Sequence, residues 1–151
     1  MRPRVVLTRR WPAAVEARLG ERYELVLNAD DRPLDASALR EALRHADALC
    51  PTVTDVLDAG VLEVAGRRAR LVANYGVGFN HIDLAAAARC HLTVTNTPGV
   101  LTDCTADLTL TLILMLARRA GEGERELRAG RWAGWRPTHL LGTAVTGKTL
   151  G

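Results

Sequence analysis

The chain has 151 residues, 48% of them hydrophobic, and a formal net charge of +3; this suits one ordinary domain, or one domain with part of another, and allows a real core. Its basic residues are scattered and almost all arginine, with Lys148 the single lysine, one Phe and two Tyr, so the basic stripe and stacking platforms that nucleic acid requires are missing. Cys50, Cys90 and Cys104 are odd in number and widely spaced, which excludes a disulfide framework and a zinc knuckle and reads as buried thiols in a reducing compartment.

In chain order, RVVLT at residues 4–8 reads as a strand, 13–19 as a short helix opened by Pro12, and YELVLN at 23–28 as a second strand. Residues 35–45 have helical spacing through Leu39 and Leu43, with Asp35 or Ser37 as cap. DALC at 47–50 is a third strand, 55–65 a helix, RLVAN at 70–74 a fourth strand, 82–89 a helix, and LTVTN at 92–96 a fifth strand. Strands alternating with helices at this spacing predict an α/β fold with a parallel sheet covered on both faces. Ligands collect at the carboxyl ends of such strands, which singles out the loops at 8–12, 75–80 and 97–101. A phosphoacceptor receiver would carry paired acids after its first strand to hold magnesium; Thr8-Arg9-Arg10 stands there instead.

After Pro98 the texture changes. Residues 102–120 read as one long helix, with Thr102 or Asp103 as its cap, Ala120 as its last residue, and Arg118 and Arg119 near the favourable end of its dipole. Its middle, LTLTLILMLA, is apolar nearly all round and demands a partner surface. Leaving four or five such side chains in water costs on the order of 10 kcal/mol. Residues 122–129 continue as a charged helix, and RAGRWAGWRPTHLLG follows as an irregular connector. The uncharged apolar stretch at 108–117 is ten residues, too short to span a bilayer. The N-terminal apolar run is too short for a secretion signal, so a cytoplasmic location is expected.

Two stretches could carry chemistry. In ANYGVGFNHID, residues 73–83, a strand runs into Gly76-Val77-Gly78; glycines at positive φ would expose backbone N–H groups able to hold an anion such as a carboxylate. It is not a dinucleotide fingerprint, because the third glycine position is His81. None of the four histidines has an acid at useful spacing, Asp83 reads as a helix-start residue, and Ser37, the single serine, lies at a helix start. The second stretch, GTAVTGKT at 142–149, matches the phosphate-gripping pattern G-x-x-x-x-G-K-[ST]. That pattern works only when a helix starts at the Lys-Thr pair, and the two residues that follow cannot form one, so it is read as the run-in to a strand.

ANYGVGFNHIDL, then VTNTPGVLTDCTADLTLTLILMLARR, GRWAGWRPTHLLG and GKTLG resemble the D-2-hydroxyacid dehydrogenases, most closely the glyoxylate and hydroxypyruvate reductases, strongly over residues 71–151 and weakly before. The resemblance implies a flavodoxin-like substrate domain at 1–98, then at 99–151 a dimerisation helix and the start of a Rossmann domain that binds NAD or NADP. It implies that Val77 and Gly78 offer N–H groups to the carboxylate of a small 2-oxo or 2-hydroxy acid, and that Thr105 lies near the nicotinamide. It further implies a homodimer through residues 102–120, with Trp135 reaching the partner subunit's pocket. Relatives continue past GKTLG into the glycine-rich fingerprint, an arginine and a Glu-His pair. The chain is therefore expected to be the N-terminal half of a reductase, with no catalytic residue and no metal site of its own, and inactive and association-prone alone. The alternative is a non-catalytic flavodoxin-like module that dimerises or binds a carboxylate.

Overall fold

Five short apolar runs form the strands β1 (Arg4–Leu7), β2 (Glu24–Leu27), β3 (Ala48–Cys50), β4 (Leu71–Ala73) and β5 (Thr93–Thr95). All neighbouring pairs are parallel, in the order β2-β1-β3-β4-β5; this 2-1-3-4-5 arrangement is the flavodoxin-like one. The computed structural model describes residues 1–151 and divides into two compact units, Met1–Gly99 and Val100–Gly151.

In the first unit the helices connecting the strands are α1 (Ala13–Gly20), α2 (Ala36–His45), α3 (Ala59–Leu62) and α4 (Leu84–Arg89). Asp35 caps α2, its carboxylate accepting from the Ala38 N–H at 2.8 Å, a contact worth about 1 kcal/mol. Leu39 and Leu43 then bury the inner face of α2 against Leu49, Leu57, Leu62 and Val72, each contributing about 1.5 to 3 kcal/mol. The opposite face of the sheet buries Val5, Leu7, Ala48 and Cys50 beneath Trp11, Leu19 and Tyr23. Strand β3 is thus buried on both faces, and burial pushes the Cys50 thiol up to about 11. The other two thiols differ from the expectation: Cys90 is half-buried and Cys104 exposed.

The helix expected over 55–65 shrinks to one turn, α3, capped by Asp58 through the Val61 N–H at 2.9 Å. Tertiary pairing overrides the local pattern here. Thr52 bridges Tyr75 and Leu57 bridges Ile82, the Leu57 N–H donating to His81 O at 2.8 Å. Asp83 does start α4, accepting from the Ala86 N–H at 2.9 Å.

In the second unit the long helix ends sooner than expected. It runs as α5 (Thr102–Ala117), and after a break α6 follows (Ala120–Arg128). Arg119 takes a left-handed conformation, φ 55°, and its guanidinium grips Glu122. This is a backbone conformation that L-residues avoid. Nor does Thr102 or Asp103 cap α5: Leu101 occupies that position, with no side-chain cap bond. None of the α5 residues is buried, and Leu108, Leu110, Leu112, Leu114, Met115 and Leu116 are all exposed. No helix is long and apolar enough to cross a membrane.

Residues 142–149 form no strand and no helix. Val145 to Lys148 close a turn, the Lys148 N–H donating to Val145 O at 3.1 Å with Gly147 at φ 71°. Gly142 lies against the end of α5 instead, beside the bond from the Thr143 N–H to Ala117 O at 2.7 Å. A Cβ there would stand 2.6 Å from Ala117 O. Gly142→Ala is therefore expected to destabilise the second unit by about 1 to 3 kcal/mol, read as a fall in its thermal midpoint; unchanged melting would show that the connector docks otherwise.

Candidate functional site

The carboxyl end of β4 runs into the loop 75–83, and its shape is set by Asn74 at the foot of the strand. Asn74 is 3% exposed. Its Nδ2 donates to Gly76 O at 3.0 Å and to Gly78 O at 2.9 Å, while its Oδ1 accepts from His81 Nε2 at 3.0 Å. Because both amide protons of Asn74 go to carbonyls, His81 must carry its proton on Nε2. Gly76 O also accepts from the Thr97 N–H at 3.1 Å, and Val77 O from Asn96 Nδ2 at 2.9 Å.

All three carbonyls of Gly76-Val77-Gly78 are thus turned back into the protein. The Val77 and Gly78 N–H groups, in contrast, meet no acceptor in the chain, and Val77 is 50% exposed. Unpaired amides at a sheet's carboxyl edge are groups of the kind that can hold an anion. The glycines do not achieve this through positive φ, as their sequence context led one to expect; neither has it. The Asn74 clamp fixes the peptides instead. A Cβ on Gly78 would meet nothing within 4 Å, so the space beside Gly78 is open to a side chain.

Neighbouring loops frame this edge. Trp11 lies against Tyr75, ring centroids 4.6 Å apart and tilted by 36°. The 8–12 loop is pinned by acids: Asp31 Oδ1 accepts from Arg9 Nε at 2.8 Å and from the Arg10 N–H at 2.9 Å. Glu16 takes the Arg10 guanidinium at 2.7 and 2.9 Å and the Trp11 N–H at 2.8 Å. The arginine bonds hold both carboxyls below the usual carboxylate range. Pro98-Gly99, with Gly99 at φ 79°, turns the chain after β5, a conformation suited to glycine.

Of the four residues singled out by resemblance, Val77 and Gly78 stand together on this loop. Thr105 lies in the first turns of α5, exposed, its carbonyl accepting from Thr109 Oγ1 at 2.7 Å. Trp135, in the connector after α6, is 83% exposed. Two further residues escaped the sequence reading: Asn74, which looked like an ordinary strand end, and Asp55, which looked like a helix start. An amide residue two positions before a G-x-G was the available signal for the first, since its NH2 can donate to two carbonyls of the turn while its oxygen accepts.

Burial lowers the His81 pKa, and the Asp55 charge opposes this in part. With the folded value below the unfolded one, the unfolded chain binds the proton more readily, so stability falls as pH drops below about 6.5. Urea unfolding between pH 7.5 and 5 is expected to show this slope, reduced in His81→Gln; an identical slope in that variant would assign it to the other histidines.

The family model of the D-isomer specific 2-hydroxyacid dehydrogenases, catalytic domain, matches residues 5–150. The glyoxylate reductase of Korarchaeum cryptofilum is 41% identical over 152 residues, covering 100% of this chain and 46% of the relative. That of Aeropyrum pernix is 43% identical over 155 residues, covering 99% and 46%. Among solved structures, a Polaromonas protein assigned as an NAD-binding D-isomer specific 2-hydroxyacid dehydrogenase superposes with a TM-score of 0.90 at 36% identity, over 97% of this chain and 46% of that one. The NADPH-dependent glyoxylate/hydroxypyruvate reductase of Sinorhizobium meliloti, solved with NADP and malonate, gives 0.77 at 31% identity, over 99% and 45%. The chain spans about half the length of the relatives it matches. With the parallel sheet and a family match over nearly its whole length, the chain belongs to the D-isomer specific 2-hydroxyacid dehydrogenases.

Proposed function

We propose that this chain is the N-terminal part of a cytoplasmic NAD(P)H-dependent reductase that converts a small 2-oxo acid, glyoxylate or hydroxypyruvate, to its 2-hydroxy acid by hydride transfer. The observation that carries this reading is the pair of unpaired amides at Val77 and Gly78, which suits the substrate carboxylate. Residues 1–98 serve as the substrate domain, and 99–151 as the dimerisation helix and the entry to the cofactor domain. Thr105 is the residue of this chain assigned to the nicotinamide's surroundings. The nicotinamide supplies the hydride when bound; what this chain contributes is the grip on the carboxylate that holds the carbonyl in reach.

The exposed leucines of α5 support a homodimer through residues 102–120, since apolar patches of this kind mark association surfaces. In that dimer Trp135, exposed in a single chain, reaches the partner subunit's pocket. A positive group on the carbonyl and an acid that delivers the proton are assigned to the part of the relatives this chain does not span.

The test is the mass and activity of the native gene product. A species near twice 16.4 kDa that oxidises NADH or NADPH with glyoxylate or hydroxypyruvate, beside an inactive 151-residue chain, is the expected result. Turnover by the 151-residue chain alone would overturn the division of labour proposed here. A native product of 16.4 kDa without turnover would favour a carboxylate-binding or dimerising module.

A further inference from the structure

Asp55 is fully buried, 0% exposed, at the carboxyl edge of the sheet. Its Oδ2 gathers three donors: the Thr8 hydroxyl at 2.5 Å, the Thr52 N–H at 2.8 Å and the Thr52 hydroxyl at 3.4 Å. Its Oδ1 is buried without a protein partner. An apolar residue would fill this place at a lower desolvation cost. What it could not do is draw the end of β1 and the segment after β3 to one point.

That segment is the bed of the amide loop. The Tyr75 N–H donates to Pro51 O at 2.8 Å and Thr52 bridges Tyr75, which fastens the loop's first end. The Leu57 N–H donates to His81 O at 2.8 Å and the Asp83 N–H to Leu57 O at 2.9 Å, which fastens its second. Between them, Val53 Cγ1 lies 3.5 Å from where a Cβ on Gly76 would stand. Asp55 sits in the middle of the bed and ties it to Thr8.

We propose that Asp55 is a positioning residue for the Val77–Gly78 amide pair: through Thr8 and Thr52 it fixes the segment from which both ends of the amide loop hang. The assignment rests on the reading that these amides receive the substrate carboxylate. Displacing the bed by a few tenths of an ångström turns the amides away from the carboxylate, which loosens the grip on the substrate directly.

The experiment uses the full-length gene product with Asp55→Leu and Thr8→Val, which remove the contact, and Asp55→Asn and Thr8→Ser, which keep an acceptor or a hydroxyl in place. In Thr8→Val the kcat/KM for glyoxylate is expected to fall about tenfold, with the nicotinamide KM within about twofold of wild type. Backbone hydrogen exchange at the bonded amides of Tyr75 and Leu57, which fasten the loop to its bed, is expected to quicken about tenfold without change in α4. Asp55→Leu should do the same or more, and the conservative pair should stay near wild type; if Asp55→Leu fails to fold, Thr8→Val carries the test. Unchanged exchange at Tyr75 and Leu57, or a matching rise in the nicotinamide KM, would overturn the proposal. Should the wild-type product turn over no 2-oxo acid, the functional reading falls, and the exchange measurement still decides whether Asp55 positions the loop.

Discussion

Gly78→Asp in the full-length reductase is expected to raise the KM for glyoxylate about 100-fold while leaving the melting temperature within about 2 °C. The space before Gly78 is open to a Cβ, and its φ lies outside the left-handed region, so folding has no reason to resist the side chain. The substrate has every reason to. A carboxylate placed about 4 to 5 Å from the substrate's own, at an effective dielectric near 20, costs about 3 to 4 kcal/mol, and about 1.4 kcal/mol is tenfold in affinity. Gly78→Asn has nearly the same shape and no charge, and is expected to cost less than about tenfold by the same arithmetic. Equal losses in the two variants would mean that bulk, not charge, blocks the site. No loss in either would place the carboxylate elsewhere and remove the observation on which the function rests.

How far the sequence could be read depended on whether local or distant contacts decide an element. The five strands were legible because each is a short apolar run between turn residues, and α2 because Leu39, Leu43 and the Asp35 cap agree with one another. Residues 55–65 misled because Asp55 and Asp58 both stand before an apolar run as a cap would. Only Asp58 caps; Asp55 is taken by Thr8 and Thr52, partners 47 and 3 residues away in sequence. The break at Arg118 and Arg119 carries no Gly or Pro to announce it, whereas Gly121 and Gly123 sit inside α6. At the candidate site, the exposed amides were foreseen but not the means of exposing them. The Gly76 and Gly78 carbonyls are anchored by a side chain two and four residues behind, which pattern reading does not weigh.

Asn74→Asp puts that anchor to the strongest test. The substitution changes one amide nitrogen to oxygen, with almost no change in volume, at a residue 3% exposed. Both donors to Gly76 O and Gly78 O, now 3.0 and 2.9 Å away, are replaced by an acceptor facing two acceptors. Leaving buried polar groups without partners costs about 1 to 3 kcal/mol each, so the first unit is expected to lose about 3 kcal/mol, a fall in melting temperature of about 10 °C or more. The His81 Nε2 proton still has an acceptor, and this does not help the carbonyls. Acid provides a signature that a simple packing defect lacks. Burial against two carbonyls raises the introduced carboxyl's folded pKa above its unfolded value of about 3.9, so its neutral form is the one the fold tolerates, with a hydroxyl that can donate to one carbonyl. The deficit against wild type should therefore shrink as pH falls from 7 toward 5 and widen again as pH rises through the folded pKa. Asn74→Ala, which loses the same bonds without adding a titrating group, should run parallel to wild type over that range. A deficit in Asn74→Asp that ignores pH would mean that the loop has swung away from the carboxylate, and that the amides of Val77 and Gly78 are held by something other than Asn74.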